Sequence, residues 1–315
     1  MESDNNDSLD LYLQPPVRSA DPRARVLAVG EILWDLFPNG ARIGGAPLNF
    51  AVHLTRLRQS ARVLSAIGRD ARGIETKRAM RELGIDARLV QSTPRFETGC
   101  ARVETRADGH AAFTIERPAA YDAVELSPAL LSDMVAWNPQ WLYYGTLFAA
   151  CPQPRAVLQE LLRMLPNAAR FYDVNLRPGF DERDLVGDLL RSAHVVKLNE
   201  QELRFVHEFL DLPSEPEEFC RVGTDRYRWR AACVTLGDRG CAMRVGNEYI
   251  QAQACPVKVA DTVGAGDAFA AAFLHGLISQ WPVARIAAFA NRVGAFVAGT
   301  HGAIPDQIPD AILNA

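Results

Sequence analysis

From Arg25 onward, short apolar runs rich in β-branched residues alternate with segments whose apolar residues recur at helical spacing. RVLAVGEIL, RVLSAIG, WLYYG, RFYDVN and HVVKLN read as buried strands, and APLNFAVHLTRL, GIETKRAMREL, PRAVLQELLRML, RDLVGDLLRSA and EQELRFVHEFL as the helices between them. A strand must cross over to pair in parallel with the next, and a helix is the usual crossover. The pattern therefore predicts an α/β fold, a doubly wound and mainly parallel sheet with helices on both faces. RAACVTLG, CAMRVG and EYIQAQA follow as closely spaced strands, and GAGDAFAAAFLHGLIS and VARIAAFANRVGAFVA close the chain as apolar helices. One stretch breaks the rhythm: TGCARVETRADGHAAFTIE, residues 98–116, has two period-two runs around ADGH, which signals a hairpin. With residues of about 36–44 it is expected to form a small β-sheet projecting from the main domain as a lid. Residues 1–24 are polar and acidic with scattered prolines, and are expected to be a disordered leader before a single domain spanning 25–315.

Composition narrows the class. The 315 residues are 48 % hydrophobic and 23 % charged, enough for a substantial core. The formal net charge of −4, without a basic patch, argues against nucleic acid as a partner. The apolar stretches are too short and interrupted to span a membrane. The six cysteines include no CxxC pair and have no histidine at ligand spacing, so a structural zinc site is not expected. Reduced cysteines in apolar contexts, with no secretory signal, fit the cytoplasm.

The chemistry concentrates in Asp261-Thr262-Val263-Gly264-Ala265-Gly266-Asp267, directly before an apolar helix. Small residues at a helix start leave backbone N–H groups facing a bound anion, and the helix dipole favours negative charge there. A carboxylate beside an anion site repels phosphate, so Asp267 needs a reason to be there; deprotonating an attacking hydroxyl is one. Its bland alternative is an ordinary acidic first turn. Gly44-Gly45-Ala46-Pro47-Leu48-Asn49 opens an earlier helix with the same small-residue character. The paired glycines would let a ligand approach the backbone, and Asn49 offers a donor and an acceptor to a hydroxylated substrate. Asp35 follows the first strand, at the end where doubly wound sheets bind ligands. The chain has no G-x-x-x-x-G-K-[ST], no protein-kinase signature and no dinucleotide fingerprint.

These motifs resemble those of the ribokinase-like, or PfkB, carbohydrate kinases, from about Arg25 to about Pro305. DTVGAGDAFAAAF is similar to the family's C-terminal signature, GGAPLNFAVHLTRL to its N-terminal one, VKLNEQEL to its N-x-x-E segment and VTLGDRGC to its nucleotide-site turn. GEILWDLFP, YDAV, YGTL and DVNLRP look most similar to bacterial fructokinases. The resemblance implies an ATP-dependent sugar kinase with Asp267 as catalytic base and Gly264, Ala265 and Gly266 as anion hole. Asp35, Gly44, Gly45 and Asn49 would bind sugar. Asn199, Thr235, Gly237 and Asn291 would hold ATP, and Glu202 would act on Mg2+ through water. Asp261 and Val263, with backbone near Ala298, would hold a monovalent cation such as K+. A polar residue after the glycine pair, found in ribokinases proper, is missing, which argues against ribose. Fructose is the expected substrate; 2-keto-3-deoxygluconate, another ketose or a nucleoside is the alternative, and a sugar-binding regulator without catalysis the remaining one. Arg177 and Arg117 are candidate contacts to a substrate acid group or to ATP, whereas His53 and His194 read as structural. The lid's sheet edge predicts a homodimer.

Overall fold

A computed structural model describes residues 23–38, 40–105 and 111–313. Almost all of the expected leader, and the ADGH turn of the hairpin, lie outside the described residues. The main sheet has nine strands in the order β13-β12-β11-β10-β9-β8-β1-β4-β5. Its parallel members are β1 (Arg25–Val29), β4 (Ser60–Gly68), β5 (Val90–Thr93), β8 (Trp141–Gly145), β9 (Ala169–Asp173), β10 (Val195–Asn199) and β11 (Ala231–Thr235). β12 (Cys241–Val245) and β13 (Glu248–Ala252) complete one edge as an antiparallel meander. The expected doubly wound sheet is present.

Helices cover both faces, which is why the central strands read as nearly continuous apolar runs. α1 (Ala46–Arg56), α2 (Ala71–Glu82), α9 (Ala265–Ile278) and α10 (Val283–Ala298) pack on one side. α3 (Pro128–Trp137), α4 (Thr146–Ala149), α5 (Pro152–Met164), α6 (Arg183–Ser192), α7 (Glu200–His207) and α8 (Pro216–Tyr227) pack on the other, with a short α11 (Asp310–Leu313) at the end of the chain. Adjacent strand residues feed opposite cores, as the period of two requires. Tyr143 stacks on Phe50 of α1 at 3.7 Å between ring centroids, and Phe171 meets Phe273 of α9 edge-on. On the other face Tyr144 stacks on Tyr172 at 5.5 Å.

The second sheet is larger than its sequence suggests. β2 (Leu33–Phe37), β3 (Gly40–Gly44), β6 (Gly99–Thr105) and β7 (Ala111–Ile115) form four strands in the order β3-β2-β6-β7. RVLAVGEIL is therefore not one strand. It breaks at Gly30, where φ is 152° and an added Cβ would lie 2.5 Å from Pro47 Cγ, and Leu33 begins the second sheet. Trp34 ties that sheet to α2 by donating from Nε1 to Thr76 Oγ1 at 2.9 Å.

Candidate functional site

The turn before α9 is built from the inside. Ala260 and Asp261 both donate their backbone N–H to Ala298 O, and the Asp261 carboxylate accepts from the amides of Val263 and Gly302, each at 3.0 Å. Gly264 has φ 77°, and a Cβ there would approach Ala303 Cβ to 2.3 Å, so only glycine fits. Ala265 then starts α9, and Asp267 falls in its first turn, buried. Asn49 Nδ2 donates to Asp267 Oδ2 at 2.8 Å across 218 positions of sequence. Both glycine-rich segments thus converge on one carboxylate. Burial pushes the Asp267 pKa up to about 7; the Asn49 bond, Lys197 and Arg177 pull against that rise, and Asp173 adds to it.

On the facing side Asp35 lies within β2, not just past the first strand, and is buried. Burial raises its pKa to about 6, with Arg177 and Arg42 opposing and Asp261 and Glu31 reinforcing. The two glycines also clear space within the protein, and Gly45 lines the cavity. A Cβ on Gly44 would meet Asp35 Oδ2 at 2.7 Å, and one on Gly45, where φ is 106°, would meet Glu31 O at 2.4 Å. Gly44 makes room for the Asp35 carboxylate and Gly45 for the backbone of Glu31. Glu31 in turn accepts from Ala46 N, at the start of α1, at 3.2 Å. Among the described residues, Asn49 Oδ1 is a buried oxygen with no hydrogen-bond partner. Such an atom is costly unless something donates to it.

Asn199 and Glu202 form a capping box on α7: Asn199 Oδ1 accepts from Glu202 N at 2.9 Å, and Glu202 Oε2 from Asn199 N at 2.8 Å. Glu202 Oε1 also accepts from Leu176 N at 2.8 Å, fixing the loop after β9. Thr235 ends β11, Gly237 turns with φ 64°, and Asn291 on α10 donates to Gln253 O at 3.1 Å. One cavity of about 1170 Å³ is lined by Asp35, Asn49, Arg177, Asn199, Glu202, Thr235, Gly237, Asn291 and the 262–267 turn. It joins all these groups.

Arg177 belongs to this cavity, its Nη1 held by Asn175 Oδ1 at 2.6 Å. Arg117 does not line it; buried, it pairs with Asp122 and donates to Leu147 O. His53 bonds Ala303 O at 2.9 Å, and His194 Nδ1 accepts from Arg170 N at 3.1 Å. Both are structural. The sequence reading missed Glu31, Asp173 and Lys197. Asp173 and Lys197 were visible as charges inside the apolar runs RFYDVN and VKLN, where a strand buried on both faces has no solvent to offer.

The chain matches the model of the pfkB family carbohydrate kinases over residues 39–311. It belongs to that family. The protein is thus a sugar kinase, a phosphotransferase. It is 29 % identical over 306 residues to fructokinase-1 of Oryza sativa subsp. japonica, covering 89 % of this chain and 93 % of the relative. To the fructokinase of Klebsiella pneumoniae it is 28 % identical over 293 residues, covering 89 % and 92 %. The fold superposes on a crystal structure of fructokinase with bound ATP from Xylella fastidiosa with a TM-score of 0.79 and 22 % identity, over 92 % of this chain and 97 % of that one. Among the described residues no helix is long and apolar enough to cross a membrane.

Proposed function

We propose that this sugar kinase transfers the γ-phosphate of ATP to a hydroxyl of fructose, with Asp267 as general base. The observation that carries the reading is the Asn49–Asp267 hydrogen bond, which joins the sugar-side helix to the anion-hole turn at the carboxylate. A sugar hydroxyl donating to the unpartnered Asn49 Oδ1, with neighbours donating to Asp35, would lie beside Asp267. The sugar oxygen bonds the γ-phosphorus as the bond to the bridging oxygen breaks. The electron pair leaves with ADP, the proton passes to Asp267, and the amides of Gly264 and Gly266 receive the charge that develops on the phosphoryl oxygens, the Ala265 amide being held by Thr262 O at 3.3 Å. A base with pKa about 7 suits an operating pH near neutral.

ATP would lie along Asn199, Thr235, Gly237 and Asn291. Glu202 spends one lone pair of each oxygen on a backbone amide, which leaves capacity for a hydration shell and fits Mg2+ held through water. Bound there, Mg2+ neutralises polyphosphate charge. The Asp261 and Val263 turn fits a resident monovalent cation poorly. The Ala298 carbonyl already accepts two backbone N–H groups, and the Arg42 guanidinium stands 3.8 Å from Asp261.

Fructose is proposed because the relatives in Oryza sativa subsp. japonica and Klebsiella pneumoniae are named fructokinases. Arg177, a cation in the same cavity, favours 2-keto-3-deoxygluconate as the second reading. We also propose a cytoplasmic homodimer joined through the second sheet; the six free cysteines suit a reducing compartment. A coupled assay of ADP release over fructose, 2-keto-3-deoxygluconate, ribose, tagatose and nucleosides tests the function. A kcat/KM highest for the sugar acid would replace fructose, and sugar binding without turnover would remove the catalytic reading.

A further inference from the structure

Lys197 is the one lysine among the described residues that is buried, and it lines the cavity. It sits on β10 two residues before Asn199, on the face that looks toward the start of α9. Its Nζ donates to both oxygens of Asp173, at 3.0 and 3.2 Å, and Asp173 is wholly buried at the end of neighbouring β9. Tyr143 steadies the same carboxylate, donating its hydroxyl to Asp173 Oδ2 at 3.2 Å. An ion pair this deep is a poor stabiliser, because removing both charges from water offsets most of their attraction. Its placement points elsewhere. A Cβ built on Gly266 would stand 3.3 Å from Lys197 Nζ, closer than most side chains tolerate. The ammonium therefore lies directly against the anion-hole backbone, and Gly266 leaves it that room. With both Asp173 oxygens in the pair, an ammonium with three N–H groups retains one donor for a ligand.

We infer that Lys197 contacts the transferred phosphoryl group, acting with the anion-hole amides as the cation that meets its developing charge, while Asp173 holds the ammonium in position. This rests on the proposed phosphoryl transfer. Asp173 keeps the ammonium aligned before substrate arrives, so little reorganisation is needed at the moment of reaction. Burial alone would drive the Lys197 pKa down, but Asp173, Glu202 and Asp267 outweigh it and raise it, so the side chain stays charged through neutral pH. No bond to Lys197 forms or breaks; it donates a hydrogen bond only.

The test uses two variants of the full chain. Lys197→Met leaves Asp173 buried without its partner and risks misfolding. The double variant Asp173→Asn, Lys197→Met removes both charges and preserves the packing. In the folded double variant kcat is expected to fall by about a hundredfold, on the scale of one lost oxyanion donor, with the KM for fructose within about threefold of the parent. Asp267 faces Asn49, Asp173, Lys197 and Arg177. Asp173 raises its pKa and Lys197 lowers it, so removing both leaves the acid limb of the kcat/KM profile near its original pH. A role confined to tuning Asp267 would leave that limb in place as well but spare kcat on the plateau, so the plateau separates the two roles. Calorimetry with fructose and ADP, with and without aluminium fluoride, supplies the binding readout. The parent should gain affinity from the fluoride and the double variant should not, with binding of ADP alone unchanged. Parental kcat in the double variant, or an undiminished fluoride gain, overturns the inference while leaving the phosphoryl-transfer reading standing. Absence of transfer to any sugar by the parent chain overturns both.

Discussion

Asp267 pays for its position with solvation. It is buried, with the Asn49 amide as its direct partner, Lys197 and Arg177 as its cations and Asp173 as a neighbouring like charge, and the net effect is a pKa of about 7. Only the ionised form can accept a proton, so kcat/KM should rise with pH through about 7 and level above it. Asp267→Asn keeps the shape and loses the proposed base, and kcat should fall by roughly a hundredfold or more in a steady-state assay. Linkage gives an independent check. The folded pKa lies above the ordinary aspartate value of 3.8, so the folded state binds more protons between those limits. The stability held at low pH is therefore lost as pH rises through about 7. Asp267→Asn, which cannot ionise, should raise the melting temperature at pH 8 and change it little near pH 4. Equal shifts at the two pH values would assign the raised pKa to something other than this carboxylate. Asn49→Ala should affect more than sugar affinity. Without its hydrogen bond the acid limb should move to higher pH, and kcat as well as the KM for sugar should suffer.

Turns and caps do at the level of elements what those groups do individually. Gly264 combines a left-handed backbone with a Cβ position already filled by Ala303, whereas Gly84, after α2, has φ 72° and nothing within 4 Å. Gly84→Ala should therefore show backbone strain alone, about 1–3 kcal/mol in urea unfolding. Gly264→Ala should cost more than that and lower kcat, because the amides of the turn move with it. Equal losses of stability would mean that the segment around Ala303 yields freely. The same comparison shows what sequence could reveal. GAGD before an apolar run identified the turn, its helix and its carboxylate, because small residues at a helix start carry a local signal. The pairing of Asp173 with Lys197, and the role of Gly44 in clearing space for Asp35, depend on elements that meet only after folding. The helices Pro128–Trp137 and Pro216–Tyr227 went unread as well. PEEFCRVGTDRY buries only Phe219, Cys220 and Gly223, too few apolar positions for a clear stripe. The break at Gly30 was hidden because apolar residues continue from one sheet directly into the other.

The whole molecule places its two sheets around one cavity, and that arrangement bears on how a kinase avoids wasting ATP on water. Ala101 of β6 and Ile115 of β7 line the cavity beside Asp35 of β2, so the second sheet supplies part of its wall. Arg42 of β3 reaches across, 3.8 Å from Asp261 and 4.9 Å from the Phe37 ring centroid. The Arg42 pair is half-exposed, and such pairs contribute little, so the sheet is not locked in place by charge. Sugar bound between Asp35 and Asn49 would add hydrogen bonds from β2 and α1 to a single ligand, drawing the second sheet toward the turn. Closure would then follow sugar binding, and the hydroxyl would take the place that water otherwise fills next to Asp267. Two outcomes are expected. ATP hydrolysis without sugar should be far slower than transfer with it, and amides in Gly99–Thr105 and Ala111–Ile115 should gain hydrogen-exchange protection when saturating sugar is added. A dimer through the same sheet would protect those amides with or without sugar, and sedimentation separates the two cases, since a monomer has a mass of 34.7 kDa. Protection that rises with sugar at constant sedimentation mass identifies a closing wall. Protection that is constant, in a species of twice the monomer mass, identifies a fixed interface.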